Sequence, residues 1–441
     1  MKKLFTLSLA AAICTSISAE TIKTFKIEKD GIPGQTEPEL IGLGLSRNGN
    51  YICGSITSGM GFFIADCITG DVKYHVTEYD EGAELRHVDN NGLAIGYEED
   101  GIVYSFDTGE FTPLVAPEGI KYILGEDLTG NGSMYVGSFA GGAYSTQAVY
   151  SKDKVNWVTL PMPTEEQLGN YKGRVRNESA AKFVSDDGKV ILGNIGGFAV
   201  PVLWVMNDNG EYEVDFFPAR LVKLTEEDIA DDSKMLYAIS GMYTSLSSNG
   251  RYVVMIGIAS EEGLNQALGV PIVYDTTTKE IKIYDEAQEI DELGIGLYPG
   301  AIADDGTFIG TVGQPFYAST GAFIMKKGET QAESYLTAFP EFFEKLGECD
   351  VNGSNVVIGI SADATKMAGY VFYSEDFYDD SPAYYLTYLI DTSSDNAVNE
   401  IPTLKNASSI YSIDGTSLRS LAKGINIVRN ADGTVSKILK R

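Results

Sequence analysis

The side chains best suited to recognition chemistry fall in one run, Tyr373-Ser-Glu-Asp-Phe-Tyr-Asp-Asp-Ser-Pro-Ala-Tyr-Tyr385. Tyr373, Tyr378 and Tyr384 offer ring faces that stack on a sugar or a peptide, and Asp376, Asp379 and Asp380 accept hydrogen bonds from its hydroxyls or amides. Gln314-Pro-Phe-Tyr317 adds Phe316 and Tyr317, and Gly141-Gly-Ala-Tyr144 is a third segment of this kind. The competing reading of the long run is an exposed loop joining two strands. Catalytic signatures are missing by comparison: the sequence holds no His-x-x-x-His pair, no Gly-x-Ser-x-Gly elbow and no phosphate loop. Carboxylates are numerous, but no spacing singles out a glycosidase pair, so no catalytic residue is assigned. The expectation is a non-enzymatic binding module for a glycan or a protein. A carbohydrate-active enzyme using Asp/Glu pairs on the same surface is the alternative. His75 and His87 read as strand or surface residues, and Trp204, inside an apolar strand phrase, reads as core.

Charge narrows the partners. The 441 residues carry 62 acidic against 33 basic side chains, a formal charge of −29. That excludes nucleic-acid binding through phosphate neutralisation and a polybasic membrane surface. Apolar content of 44% and aromatic content of 11% exclude a disordered chain. Two His and four Cys leave little for a zinc site.

Residues 1–19 read as a secretory signal: Lys2 and Lys3, an apolar stretch from Leu4 to Ile13, then small residues from Ser16 to Ala19. The apolar stretch is too short to span a bilayer, and no later stretch is long enough. The expected address is secreted, periplasmic or the outer cell surface, and a lipoprotein anchored through Cys14 is the less favoured alternative. Export permits disulfides. If the hairpin around Gly59-Met60-Gly61 closes symmetrically on Met60, Cys53 faces Cys67 across it and the two form a bridge. The alternative is a pair of small buried strand residues.

What must position these groups is a repeat. One phrase joins a small or polar pair, an Asn/Asp-Gly turn and a β-branched run ending in Gly. It recurs as Leu45-Ser-Arg-Asn-Gly-Asn-Tyr-Ile-Cys-Gly54, Val88-Asp-Asn-Asn-Gly-Leu-Ala-Ile-Gly96, Leu128-Thr-Gly-Asn-Gly-Ser-Met-Tyr-Val-Gly137 and Val184-Ser-Asp-Asp-Gly-Lys-Val-Ile-Leu-Gly193. Further copies are Leu246-Ser-Ser-Asn-Gly-Arg-Tyr-Val-Val254, Ile302-Ala-Asp-Asp-Gly-Thr-Phe-Ile-Gly310 and a weaker Ile360-Ser-Ala-Asp-Ala-Thr-Lys-Met-Ala-Gly369. Asx-Gly pairs supply the positive φ of tight hairpins, and the flanking residues suit pleated sheet. A second strand phrase follows each copy, as in Phe62-Phe-Ile-Ala-Asp66, so each repeat holds about four strands. Steps of 40–62 residues between turns match propeller blades. The expected fold is all-β: a monomeric β-propeller over 20–405, most simply with seven blades, six or eight being the alternatives. Thr21-Ile-Lys-Thr-Phe-Lys-Ile27 is placed to close the ring by pairing into the last blade.

The two-phrase unit resembles the propeller repeats of secreted bacterial proteins, including those called HAF repeats, and the resemblance implies the fold more than an activity. The tail, Ile410-Tyr-Ser-Ile-Asp-Gly-Thr-Ser-Leu418, Leu421-Ala-Lys-Gly-Ile-Asn-Ile-Val-Arg429 and Asp432-Gly-Thr-Val-Ser-Lys-Ile-Leu-Lys440, is similar to the C-terminal sorting segments of Bacteroidetes secreted proteins. That implies a type IX sorting role for 406–441. The alternative is a small three-stranded β-unit packed on the propeller.

Extra length falls mostly between repeats, in segments that read as helices: 164–170 with a Thr164–Gln167 capping box, 225–235, 285–293, and Pro340 to Leu346 stopped by Gly347. The segments 164–170, 225–235, 285–293 and 339–346 carry 14 acids and two lysines. This insertion-bearing face is therefore either a solubility belt or the mouth of a site for a cationic partner or Ca²⁺. No segment matches the calcium-loop pattern, so no cofactor is assigned.

Overall fold

The computed structural model describes residues 21–27, 39–56, 60–77, 82–140, 146–168, 176–196, 200–215, 238–259, 268–284, 296–313, 321–352, 354–374, 383–393, 407–412, 417–418, 424–430 and 435–440. Seven four-stranded antiparallel sheets form a ring, so the fold is a seven-bladed β-propeller. Blade 1 is built from Leu40–Leu45, Tyr51–Ile56, Gly61–Asp66 and Val72–Val76. Blade 7 takes three strands from the C-terminal side, Ser354–Ile360, Lys366–Ser374 and Ala383–Asp391, and its fourth from the N-terminus, Thr21–Phe25. The ring is thus closed by the strand the sequence set aside for it. Contacts divide the chain into Ile22–Asp391 and a second unit that contains Thr392–Arg441. Within the second unit a four-stranded sheet runs in the order Ser417–Leu418, Ala407–Ser412, Gly424–Asn430, Val435–Lys440, one strand more than the tail's alternative reading supplied.

Each recurring phrase is the hairpin between the first and second strands of a blade. Its glycine sits at positive φ, from 67° at Gly132 to 95° at Gly306, and Ala364 of the weak copy adopts the same region at 59°. The residue just before the Asx-Gly pair, or the Asx itself, binds the next blade, and the links close on themselves. Asn48 N–H donates to Asn90 Oδ1, Asn90 N–H to Gly130 O, Gly130 N–H to Asp186 Oδ1 and Asp186 N–H to Ser248 O. Asn249 N–H donates to Asp304 Oδ1, Asp304 N–H to Ala362 O and Ala362 N–H to Arg47 O, all seven links measuring 2.7–3.0 Å. The turn phrase therefore encodes a belt around one end of the channel as well as a hairpin.

A second regularity lies just upstream. In six blades the first strand carries a one-residue β-bulge against the second, for example between Gly42 and Gly44, Leu85 and His87, Gly125 and Asp127, and Ala181 and Phe183, and in blade 5 the register skips from Ser240 to Thr244. The phrase's closing glycine stands opposite that bulge. A Cβ on Gly54 would lie 2.0 Å from the Ile41 carbonyl oxygen, and one on Gly193 2.0 Å from Ala180 O and 2.7 Å from the Trp204 ring. Trp204 is fully buried, as expected of core, and its Nε1–H donates to Pro161 O at 2.7 Å.

Strand register overturns the Cys53–Cys67 bridge. Tyr51 faces Asp66 and Cys53 faces Ile64, so the hairpin does not close on Met60, and Cys67 lies beyond the strand's end. Cys53 packs with Phe62 and Leu85, whereas Cys67 packs with Phe25 and Phe63 in a different core cluster. Both are buried free thiols. Burial pushes the Cys53 thiol well above its ordinary range and the Cys67 thiol up to about 12. Since thiolate is the reactive form, alkylation of the native protein at pH 8 with peptide mapping should leave both unmodified, and full modification should require denaturant. Rapid native labelling of either would contradict this packing.

The helices on the inter-blade connections are partly as expected. In the first, α1 (Glu165–Leu168), Gln167 N–H donates to Thr164 Oγ1 at 3.2 Å and Thr164 N–H to Gln167 Oε1 at 2.9 Å, the reciprocal capping box. The helices α2 (Tyr335–Ala338) and α3 (Pro340–Asn352) wedge Tyr335, Phe339, Phe342 and Leu346 into the core of blades 6 and 7. Gly347 does not stop α3, which continues to Asn352: the Pro340 start and the buried Phe342–Leu346 stripe outweigh the roughly 1 kcal/mol cost of one interior glycine. Segments 225–235 and 285–293 lie outside the described residues.

Candidate functional site

An antiparallel four-stranded blade puts its first and third turns at one end and its middle turn and inter-blade connection at the other. The first end carries the belt. It is also bridged by Arg47, whose side chain crosses from blade 1 to blades 3 and 4. Arg47 Nη1 donates to Leu128 O at 2.6 Å, Nη2 to Asp127 Oδ2 at 3.1 Å and to Val184 O, and Nε lies 2.9 Å from Asp186 Oδ1. The Asp127 side chain is 2% exposed and also accepts from Val184 N–H at 2.8 Å and Leu128 N–H at 2.7 Å. Arg47 and the belt thus tie the blades to one another at this end; the other end carries the inter-blade connections.

There the bulges matter, because a bulge re-aims a side chain. In six blades the unpaired residue stands two positions before the phrase: Leu43, Arg86, Glu126, Lys182, Gly300 and Ile358. These positions ring the channel, with charge from blades 2, 3 and 4 and apolar or small residues from blades 1, 6 and 7. Arg86 Nη1 and Lys182 Nζ both lie 2.5 Å from Glu126 Oε1, and Arg86 Nε donates to Glu84 Oε1 at 2.7 Å. Burial alone would favour a neutral guanidinium, but Glu126 and Glu84 hold Arg86 protonated and push its pKa above the usual arginine range. The guanidinium lies 5.4 Å from the centre of the Tyr97 ring, whose phenol is pushed up by burial and then by Glu84.

Tyr97 leads outward into a cleft of about 490 Å³ formed by blades 2 and 3 and lined by Gly82, Tyr97, Glu99, Asp100, Gly101, Lys121, Tyr122 and Leu124. Glu99 is the middle of the tight turn in which Glu98 pairs with Asp100, and it holds φ at 59°. Lys121 Nζ lies 5.3 Å from the Tyr122 ring centre. The cleft joins two aromatic side chains, two exposed carboxylates and one ammonium, a set that can stack on a ring and exchange hydrogen bonds with hydroxyls.

Most of the binding set expected from sequence falls outside the described residues. The 375–382, 314–320 and 141–145 segments link second and third strands of blades 7, 6 and 3. Asp376, Tyr378, Asp379, Asp380, Phe316 and Tyr317 lie outside the described residues. Tyr373 and Tyr384 are paired across the two strands of blade 7 that flank the first of these segments. His75 is a strand residue with Nε2 2.9 Å from Glu98 Oε1, whereas His87 proves to face the channel. Arg86, Glu126, Lys182 and the Tyr97–Tyr122 cleft were missed. Their signal was available: extending the repeat two residues upstream aligns the bulge positions and shows their variable chemistry. Among the described residues no group of three or more His, Cys, Asp or Glu is gathered as a metal site, and no helix is long and apolar enough to cross a membrane.

The chain is similar to several solved structures at low sequence identity. The chain matches a tricorn protease at 10% identity and a TM-score of 0.39, covering 88% of this chain and 37% of that one. It matches TolB from Acinetobacter baumannii at 10% and 0.39, covering 65% and 63%, so it spans less than two thirds of both proteins. An oligogalacturonate lyase from Vibrio parahaemolyticus is similar at 10% identity and a TM-score of 0.45, covering 84% of this chain and 97% of the lyase. No family model and no curated protein sequence matches the chain.

Proposed function

We propose that this chain is an exported, non-enzymatic propeller that binds a glycan on the face opposite the belt. The observation that carries the reading is the blade 2–3 cleft, in which Tyr97 and Tyr122 stand with Glu99, Asp100 and Lys121. Its volume of about 490 Å³ lies in the range of ligand sites, and the aromatic-plus-carboxylate lining suits the apolar and hydroxyl faces of a pyranose. The neighbouring carboxylates, Glu84 and Glu126, are engaged with Arg86 and Lys182, an arrangement that orients and holds rather than one that leaves a carboxyl poised for proton transfer. Export rests on the Lys2-to-Ala19 pattern, and surface sorting on the likeness of the 406–441 tail.

The full chain, recovered from the medium or envelope fraction where this reading puts it, should bind members of a soluble polysaccharide panel by calorimetry. Tyr97→Ala and Tyr122→Ala should each weaken that binding by about tenfold or more, the usual scale of a stacking anchor, with no reducing ends released. Unchanged affinity in both variants would remove the cleft from the function. Released reducing ends would establish the carbohydrate-active alternative instead.

A further inference from the structure

We propose that the channel cavity is a second binding site, separate from the cleft, for an uncharged ring-sized molecule bearing one hydroxyl or N–H donor. The cavity has a volume of about 280 Å³ and lies between the belt and the bulge level. A cavity of about 150 Å³ already admits benzene, so this one has room for a substituted ring. Its walls divide by chemistry. Leu43, Pro299, Val357 and Ile358 supply an apolar side from blades 1, 6 and 7, while His87, the Arg47–Asp127 pair and the hydroxyl-bearing Tyr243, Thr244, Ser245 and Ser248 of blade 5 supply the polar lining.

The ionic pair offers a ligand little. Arg47 is committed to Leu128 O, Val184 O, Asp127 and Asp186, and both Asp127 oxygens already accept backbone or guanidinium hydrogens. The two charges offset each other at 3.1 Å, so an ionic ligand entering the cavity would be desolvated without a free counter-charge.

His87 is different. Its Nδ1 lies 2.8 Å from the backbone oxygen of Glu126, which can only accept, so Nδ1 carries a proton. In the neutral ring Nε2 is then a bare acceptor, and among the described residues it has no protein partner. Phe183 meets the imidazole edge-on at 5.4 Å between centres and helps set its plane. His87 lies on the innermost strand of its blade, and its side chain is 24% exposed; an exposed side chain there opens onto the channel. A fixed acceptor opposite an apolar wall selects a molecule with a donor at one end and a hydrophobic body. Entry is from the cleft-bearing face, where Arg86 and Lys182 at the bulge level retain 27% and 20% exposure.

Phenol is a direct probe, with benzene as the donor-free control and benzoate as the anionic one. Calorimetry on the full chain should show saturable phenol binding, with benzene and benzoate at least about tenfold weaker, the worth of one good hydrogen bond or one charge desolvation. His87→Phe, which keeps a planar ring but removes the acceptor, should bring phenol down to the benzene level. Crystals soaked in 4-bromophenol should place bromine between Leu43 and Ile358. Equal affinity for phenol and benzene, unaffected phenol binding in His87→Phe, bromine located elsewhere, or no binding up to the solubility limit would each overturn the proposal. The wild-type comparison of phenol with benzene decides the matter even if the variant misfolds.

Discussion

Asp127→Ala should lower the unfolding free energy by about 3–5 kcal/mol, the range for removing one member of a buried, hydrogen-bonded ion pair. The carboxylate is 2% exposed and joins three blades: its own through Leu128 N–H, blade 4 through Val184 N–H and blade 1 through Arg47. Truncation strands two buried backbone donors and leaves a guanidinium that is 14% exposed facing carbonyl groups and Asp186 alone. Arg47→Met tests the same strut from the other side and should cost less, about 2–3 kcal/mol, because Asp127 keeps its two N–H donors. Urea titrations of the two variants check both the size and the order. Losses below about 1 kcal/mol in both would mean that Arg47 rests on the channel mouth without bracing it.

The repeat was legible because its residues answer to backbone demands that any reader of one sequence can recognise. A tight hairpin needs positive φ, so Asn/Asp-Gly recurs; a bulge presses a carbonyl onto the second strand, so Gly54, Gly96, Gly137 and Gly193 recur. The closing strand was legible because Ile22, Phe25 and Ile27 are interspersed with Lys and Thr in a short stretch that no other phrase claims. The disulfide failed on register, the least visible property of a strand pair: a small shift in the turn takes Cys53 from Cys67 to Ile64.

The proposed cleft and the bulge-level charges were harder to see because their chemistry lies between repeats rather than within one. Arg86, Glu126 and Lys182 are 40 or more residues apart, and only the packing of blades 2, 3 and 4 side by side sets Arg86 and Lys182 on one Glu126 carboxylate oxygen. Local density favours 373–385, where rings and acids are crowded into a few residues and most of the run lies outside the described residues. His87 reads as bland, since nothing local shows that the Glu126 carbonyl and Phe183 from the next two blades fix its ring.

Loss of the closing strand should be more damaging still. Ile22, Phe25 and Ile27 are 6%, 3% and 7% exposed, and burying each such side chain is worth about 1.5–3 kcal/mol. Deleting residues 21–27 should therefore cost about 5–8 kcal/mol, comparable with the whole net stability of a typical domain. The strand is anchored on both sides of the seam: Lys345 of α3 donates to Ile22 O at 3.1 Å, and Lys23 donates to Cys67 O of blade 1 at 2.6 Å. Without it, Ala383–Asp391 becomes an unpaired edge carrying buried Tyr388, Leu389 and Ile390, a template for association with other chains. The deletion should aggregate on size-exclusion chromatography, and a synthetic peptide of residues 20–28 added during refolding should restore the wild-type elution peak. Phe25→Ala is the milder test, with an expected loss of about 3–5 kcal/mol in urea titration. A deletion variant that elutes as the wild type does and unfolds at the wild-type midpoint would show that the ring holds by its seven-link belt and inter-blade cores alone.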